Sequence, residues 1–182
     1  MPHIHNEPGQ HDHTASAYII RLDKEDGLTP KLLVHQHKKY NRLLHPGGHV
    51  ELTETPWAAI KHELEEETGY EFDQLQILQP NVTRVLSLSN SDTKLHPYPF
   101  CHNTHQVTEE HSHTDIVYLF LAEGLPRNAV GEGESQDLRW LTVEQLRTSN
   151  EVGSGVKDMG VVAFDIINDK HDWTPVPTDL FS

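Results

Sequence analysis

The feature that most constrains this chain is the segment TPWAAIKHELEEETG, Thr55 to Gly69, which specifies a helix together with both of its ends. Thr55 can cap the free amides of the first turn. Pro56 takes the first helical position, where its missing N–H costs nothing, and Gly69 follows the last turn. Trp57, Ile60 and Leu64 mark the apolar stripe. At about 100° per residue from Ile60, Leu64 and Trp57 fall within roughly 60° on one side, while Glu67 lies about 20°, Glu63 about 60° and Glu66 about 120° away on the other. Lys61, His62 and Glu65 point away from the stripe. A solvated charge run belongs opposite the buried face. These carboxylates border it, repel one another at i,i+3 and i,i+4, and need a positive partner. Mg²⁺ or Mn²⁺ would serve, because hard cations take oxygen ligands converging from a rigid backbone.

The remaining pattern is mixed. ASAYIIRL (15–22) and KLLVHQH (31–37) read as strands around the turn-rich DKEDGLTP. LQILQP and NVTRVLSLS (75–89), TDIVYLFLAEG (114–124) and DLRWL (137–141) read as further strands. TVEQLRT reads as a short helix, and VKDMGVVAFDIIND (156–169) as an amphipathic one with Val156, Met159, Ala163 and Ile166/Ile167 along one side. The expected fold class is α/β (α+β): an α/β/α sandwich, a mixed β-sheet flanked by helices, rather than a doubly wound parallel sheet. Residues 1–14 read as a flexible His-rich arm, residues 15–182 as a single domain, and 90–113 as a long polar loop. The last residues, HDWTPVPTDLFS, are Pro-broken and extended.

Size and charge narrow the function. The 182 residues suit one domain, and 35% hydrophobic content leaves room for polar loops. A net charge of −14 argues against binding a nucleic-acid duplex, but a divalent cation can bridge protein carboxylates to a small phosphorylated substrate. The apolar run IVYLFLA (116–122) is too short to cross a bilayer, and no membrane partner is expected. The single Cys101 allows no intramolecular disulfide and suggests a reducing, cytoplasmic setting.

Upstream of the helix the chain reads PGGHVE. From Gly48, five residues lead to Glu54 and seven more to His62-Glu63-Leu64-Glu65-Glu66-Glu67-Thr68-Gly69-Tyr70. This resembles the box of the Nudix hydrolases, G-x5-E-x7-R-E-U-x-E-E-x-G-U, where U is a bulky aliphatic or aromatic residue. Every fixed position of 48–70 matches except the arginine, replaced by His62. ESQDLRWLTVEQL extends a looser likeness over about residues 15–170. The resemblance implies a Nudix pyrophosphatase that hydrolyses a nucleoside diphosphate linked to another group by water attack at phosphorus. Glu66 and Glu67 would be the main metal ligands, Glu63 a further ligand or the base, and the carbonyl of Gly47 or Gly48 an inner-shell donor. Glu54 would support the loop, and Gly48 a close backbone approach. Glu134 is the candidate for an extra carboxylate from a later loop, ahead of Glu132.

His62 reaches Glu66 at i,i+4 without the arginine's fork, so it is expected to support the box weakly. That change keeps a rival open: a Nudix-fold nucleotide-binding or regulatory module that does not cleave. A prenyl-diphosphate isomerase is disfavoured by the surroundings of Cys101. HELEE (62–66) starts like a zinc-protease helix, but Glu66 stands where the second histidine is needed. Cys101, His102, His105, His111 and His113 are metal-ligand types, yet pocket lining is the preferred reading, with His111, His113 and Asp115 as substrate-binding residues. Relatives are often dimers, so a homodimer is an expectation by analogy alone.

Overall fold

The apolar run 116–122 lies at the middle of a sheet. The computed structural model describes residues 7, 9–23, 27–81, 94–168 and 172–181. Here β7 (His111–Ala122) runs parallel to β1 (His11–Asp23), in register from His11 opposite Ser112 to Arg21 opposite Ala122. Tyr118 and Phe120 enter one core, Val117 and Leu119 the other. Burial on both faces is why this strand reads as an unbroken apolar run rather than an alternating one.

The other strands are β2 (Thr29–His37), β3 (Arg42–Leu44), β4 (Gly47–His49), β5 (Leu75–Pro80), β6 (Cys101–Thr108), β8 (Leu138–Leu141) and β9 (Trp173–Pro177). Their order is β3-β2-β1-β7-β5-β9, with β4 added to β1, β6 to β7 and β8 to β2. Apart from β1–β7, these pairings are antiparallel. Helix α1 (Pro56–Thr68) covers one face; α2 (Val143–Thr148) and α3 (Ser154–Asn168) cover the other. This is the expected mixed sheet between helical layers.

Helix α1 has the ends its sequence specifies. Thr55 Oγ1 accepts from the Ala58 amide at 3.2 Å, and Gly69 leaves the helix at φ 74°. A Cβ at Gly69 would lie 2.1 Å from the Asn128 carbonyl oxygen, so glycine is required both by conformation and by space. Trp57 anchors the helix: its ring meets Phe72, Tyr118 and Phe181 edge-on or tilted, and its Nε1 donates to the Phe181 carbonyl at 3.0 Å. On the opposite face Gly160 lets α3 approach closely, since a Cβ there would sit 2.6 Å from Leu146 Cδ2 and 3.0 Å from Leu32 Cδ2. The fully packed line of α3 is Val156, Gly160, Ala163 and Phe164; Met159, Ile166 and Ile167 flank it.

Two readings of polar sequence are corrected. The arm does not extend to residue 14: His11–Thr14 belong to β1, with Asp12 fully buried. The strand escapes an apolar pattern because its inward residues there, Asp12, Thr14 and Ser16, are polar. Most of 90–113 is likewise not loop but a hairpin, β6 against β7, running from Cys101 opposite Val117 to Thr108 opposite His111. Strand β6 is largely exposed, so nothing selects apolar residues along it. Residues 1–6, 8 and 90–93, and most of NVTRVLSLS, lie outside the described residues. The C-terminal segment does extend, as β9, before a short 3₁₀ turn at Thr178–Leu180.

Candidate functional site

Strand β1 divides its partners. Ile20–Asp23 pair with β2, whereas Thr14–Ser16 pair with β4. A cleft of about 700 Å³ is lined by residues from these parted ends: Thr14 and Ser16 of β1, His35 and His37 of β2, Gly47 to His49 of β4, and His113 and Asp115 of β7. Helix α1 contributes Glu63, Glu66 and Glu67, and the loop before β8 contributes Glu134.

The carboxylates sit as the helix wheel requires. Glu63 and Glu67 are 6% and 7% exposed, whereas the Glu66 side chain is 52% exposed at the rim. The Gly47 amide donates to Glu67 Oε2 at 2.8 Å. At Gly48 a Cβ would lie 2.0 Å from Glu63 Oε1, so the backbone of β4 lies directly against that carboxylate. Burial pushes the Glu63 carboxyl up to about 7; His62 opposes the shift, and the charges of Glu66 and Glu134 add to it. Burial pushes Glu67 up to about 8, against the Gly47 hydrogen bond and with help from Glu63, Glu134 and Glu66.

His35 Nδ1 lies 3.9 Å from Glu67 Oε1, but burial, with His37 and His45 nearby, pushes its pKa down to about 4. A neutral imidazole does not balance a carboxylate. Two buried carboxyls that favour protonation without a cation, beside a third at the rim and against glycine backbone, form a donor set that fits Mg²⁺ or Mn²⁺.

The other predicted residues are distributed around this centre. His62 Nε2 and Glu66 Oε1 are 3.0 Å apart, with both side chains more than half exposed. Glu54 lies in the loop before α1, where it accepts from the Glu51 amide at 2.9 Å. Asp115 is 2% exposed and accepts from the hydroxyls of Thr14 and Ser16, each at 2.9 Å. His113 lines the cleft, but His111 is turned to Asp12, with Nε2 to Oδ2 at 3.3 Å. Cys101 packs against the core beneath α3 instead of joining the histidines.

Sequence reasoning missed Thr14, Ser16, His35, His37, Lys38, Lys39, Tyr40 and His49, all of which line the cleft. The available signal was period-two polar alternation near strand ends, in Asp12-x-Thr14-x-Ser16 and His35-x-His37.

A mixed sheet between helical layers, with a glutamate-bearing helix closing against a glycine turn, defines a Nudix-type hydrolase fold. The NUDIX domain family matches residues 12–158, and the chain belongs to that family. A NUDIX-family hydrolase from Clostridium perfringens is 28% identical with a TM-score of 0.69, covering 87% of this chain and 99% of its own. The Ap4A hydrolase of C. elegans, in a binary complex, is 19% identical with a TM-score of 0.57, covering 86% of this chain and 96% of its own. The NUDIX domain of Shewanella oneidensis NrtR, complexed with ADP ribose, is 12% identical with a TM-score of 0.57, covering 87% of this chain and 89% of its own. No curated protein matches the chain. Its family and the Clostridium perfringens hydrolase make it a Nudix pyrophosphohydrolase, acting on acid anhydrides of phosphorus.

Proposed function

We propose that the chain hydrolyses a phosphoanhydride of a nucleoside diphosphate linked to a further group, a nucleoside triphosphate or a nucleotide-sugar-like compound, with Mg²⁺ or Mn²⁺. The observation that carries this reading is the burial of Glu63 and Glu67 at the cleft wall with Glu66 at its rim. Glu66, Glu67, Glu63 and the Gly47 carbonyl would hold the cation. When bound, it neutralises non-bridging phosphate oxygens and acidifies water.

Glu63, which lies against the glycine backbone of β4 at the cleft wall, is the residue we assign to take the proton from the attacking water. Glu134, from the loop before β8, is the second acceptor at the cleft. The Gly47 amide orients Glu67, and Gly48 leaves room for Glu63. Lys38 and Lys39 supply positive charge at the cleft in a chain of net charge −14, which suits the terminal phosphates. Beside them the His37 and Tyr40 rings stack at 4.7 Å, an aromatic surface for a nucleobase. Among the described residues no helix is long and apolar enough to cross a membrane. We place the enzyme in the cytoplasm on the strength of its single cysteine.

The test is phosphate and nucleotide release from nucleoside triphosphates, nucleotide sugars, ADP-ribose and dinucleoside polyphosphates with Mg²⁺ and Mn²⁺. Turnover requiring the cation supports the reading. Tight nucleotide binding without turnover supports the second reading, a binding module, which the single exposed His62–Glu66 contact favours in place of an arginine fork.

A further inference from the structure

Three histidines and one aspartate that the proposed reaction does not use meet beside the cleft. Asp12 Oδ2 lies 3.3 Å from His49 Nε2 and 3.3 Å from His111 Nε2. Ligand atoms of Asp12, His111 and His113 all lie within 4.8 Å of one another. The His113 ring centre is 4.9 Å from that of His49 and 5.4 Å from that of His111. The four residues stand on three hydrogen-bonded strands. Asp12 faces His113 across the β1–β7 pair, His111 is two residues before His113 and so on the same side, and His49 faces Thr14 across β1–β4.

We propose that Asp12, His111 and His113 form a second metal site, separate from the glutamates, for a tetrahedral transition cation of the Zn²⁺ kind, with His49 at its edge. Two imidazole nitrogens and one carboxylate oxygen, with a fourth position for water, are donors such an ion takes, whereas Mg²⁺ prefers oxygen alone. With ligand bonds of about 2.0–2.1 Å, the edges of a tetrahedron come to about 3.3 Å, the spacing Asp12 keeps to His111. Asp12 is 0% exposed, so an ion held by its carboxylate would be shielded from water on that side. His113 also lines the cleft, and the ion would tie it to Asp12 of β1 across the β1–β7 pair. It is a site that shapes the catalytic wall without entering the hydrolytic step.

The experiment measures retained Zn²⁺ after dialysis against excess Mg²⁺, and the visible spectrum with Co²⁺ in its place. It uses the full chain, His111→Ala, His113→Ala, and a Glu66→Gln/Glu67→Gln double variant, with circular dichroism of each. About one equivalent should stay with the wild type and with the glutamine variant, and be lost from both histidine variants. Co²⁺ should give the intense bands of tetrahedral coordination. Zn²⁺ retained by both histidine variants, lost from the glutamine variant, or never held by the wild type overturns the site. Should the histidine variants fail to fold, the wild-type Co²⁺ spectrum decides: weak octahedral bands overturn it. Because binding is read without turnover, failure here leaves the hydrolase reading standing, and the reverse.

Discussion

The backbone amide of Gly47 donates to Glu67 Oε2 at 2.8 Å, joining the short strand β4 to the last turn of α1. One residue further, Gly48 leaves no room for a Cβ beside Glu63. The glycine pair therefore does two jobs: its N–H aims one carboxylate, and its missing side chain admits the other.

Gly48→Ala should then displace the Glu63 carboxylate while leaving the fold intact, since only the end of a flexible side chain has to move. A shift of about 1 Å at a reacting group costs on the order of 10²-fold in rate. We expect kcat to fall by about that factor with a nearly unchanged melting temperature. Normal kcat in the alanine variant would separate Glu63 from the chemistry.

The metal-free protein should lose stability as pH rises. Glu63 and Glu67 have folded values of about 7 and 8 against an ordinary 4.5, so their contribution is full below 4.5 and lost as pH climbs through 7 and 8. His35 runs the other way: depressed to about 4 from 6.5, its contribution is present above 6.5 and lost as pH falls toward 4. Between pH 6.5 and 8 the glutamates act alone of these three. Calorimetry in chelator should show the melting temperature falling across that window in wild type and falling less in Glu67→Gln. Equal slopes would contradict the burial argument.

His62 makes one hydrogen bond to Glu66 with both partners exposed, a contact worth at most about 1 kcal/mol. His62→Ala should lower activity by no more than about fivefold and alter its pH profile, whereas His62→Arg should raise it. A His62→Ala enzyme identical to wild type in rate and pH profile would leave this position without a role.

At the other face, Gly160 is packed against Leu146 and Leu32. Gly160→Val should cost about 1–3 kcal/mol by overpacking, read as a lower urea midpoint, with kcat unaffected at temperatures where the variant is folded.

The legibility of this chain varied with what each residue faces. Helix α1 was readable to its ends because Thr55, Pro56 and Gly69 act locally, and the burial of Glu63 and Glu67 followed from their angles to Ile60 and Leu64. The glutamates of the site came with it. The start of β1 was not readable, since its inward side chains are Asp12, Thr14 and Ser16, and a polar buried face imitates an arm. Strand β6 was hidden for the opposite reason: it is mostly exposed and selects no pattern. His35-x-His37 left a local trace in its polar alternation, but that these residues meet His49 at one cleft comes from strand pairing between distant segments, which no short stretch of sequence contains.

The most direct measurement is turnover of the best substrate by Glu66→Gln and Glu67→Gln, with and without Mg²⁺ or Mn²⁺. Wild-type hydrolysis that needs the cation, and a loss of about 10²-fold or more in each variant with the fold preserved, is the expected result. Hydrolysis that survives both substitutions, or that proceeds at full rate in chelator, would contradict a cation held by these glutamates.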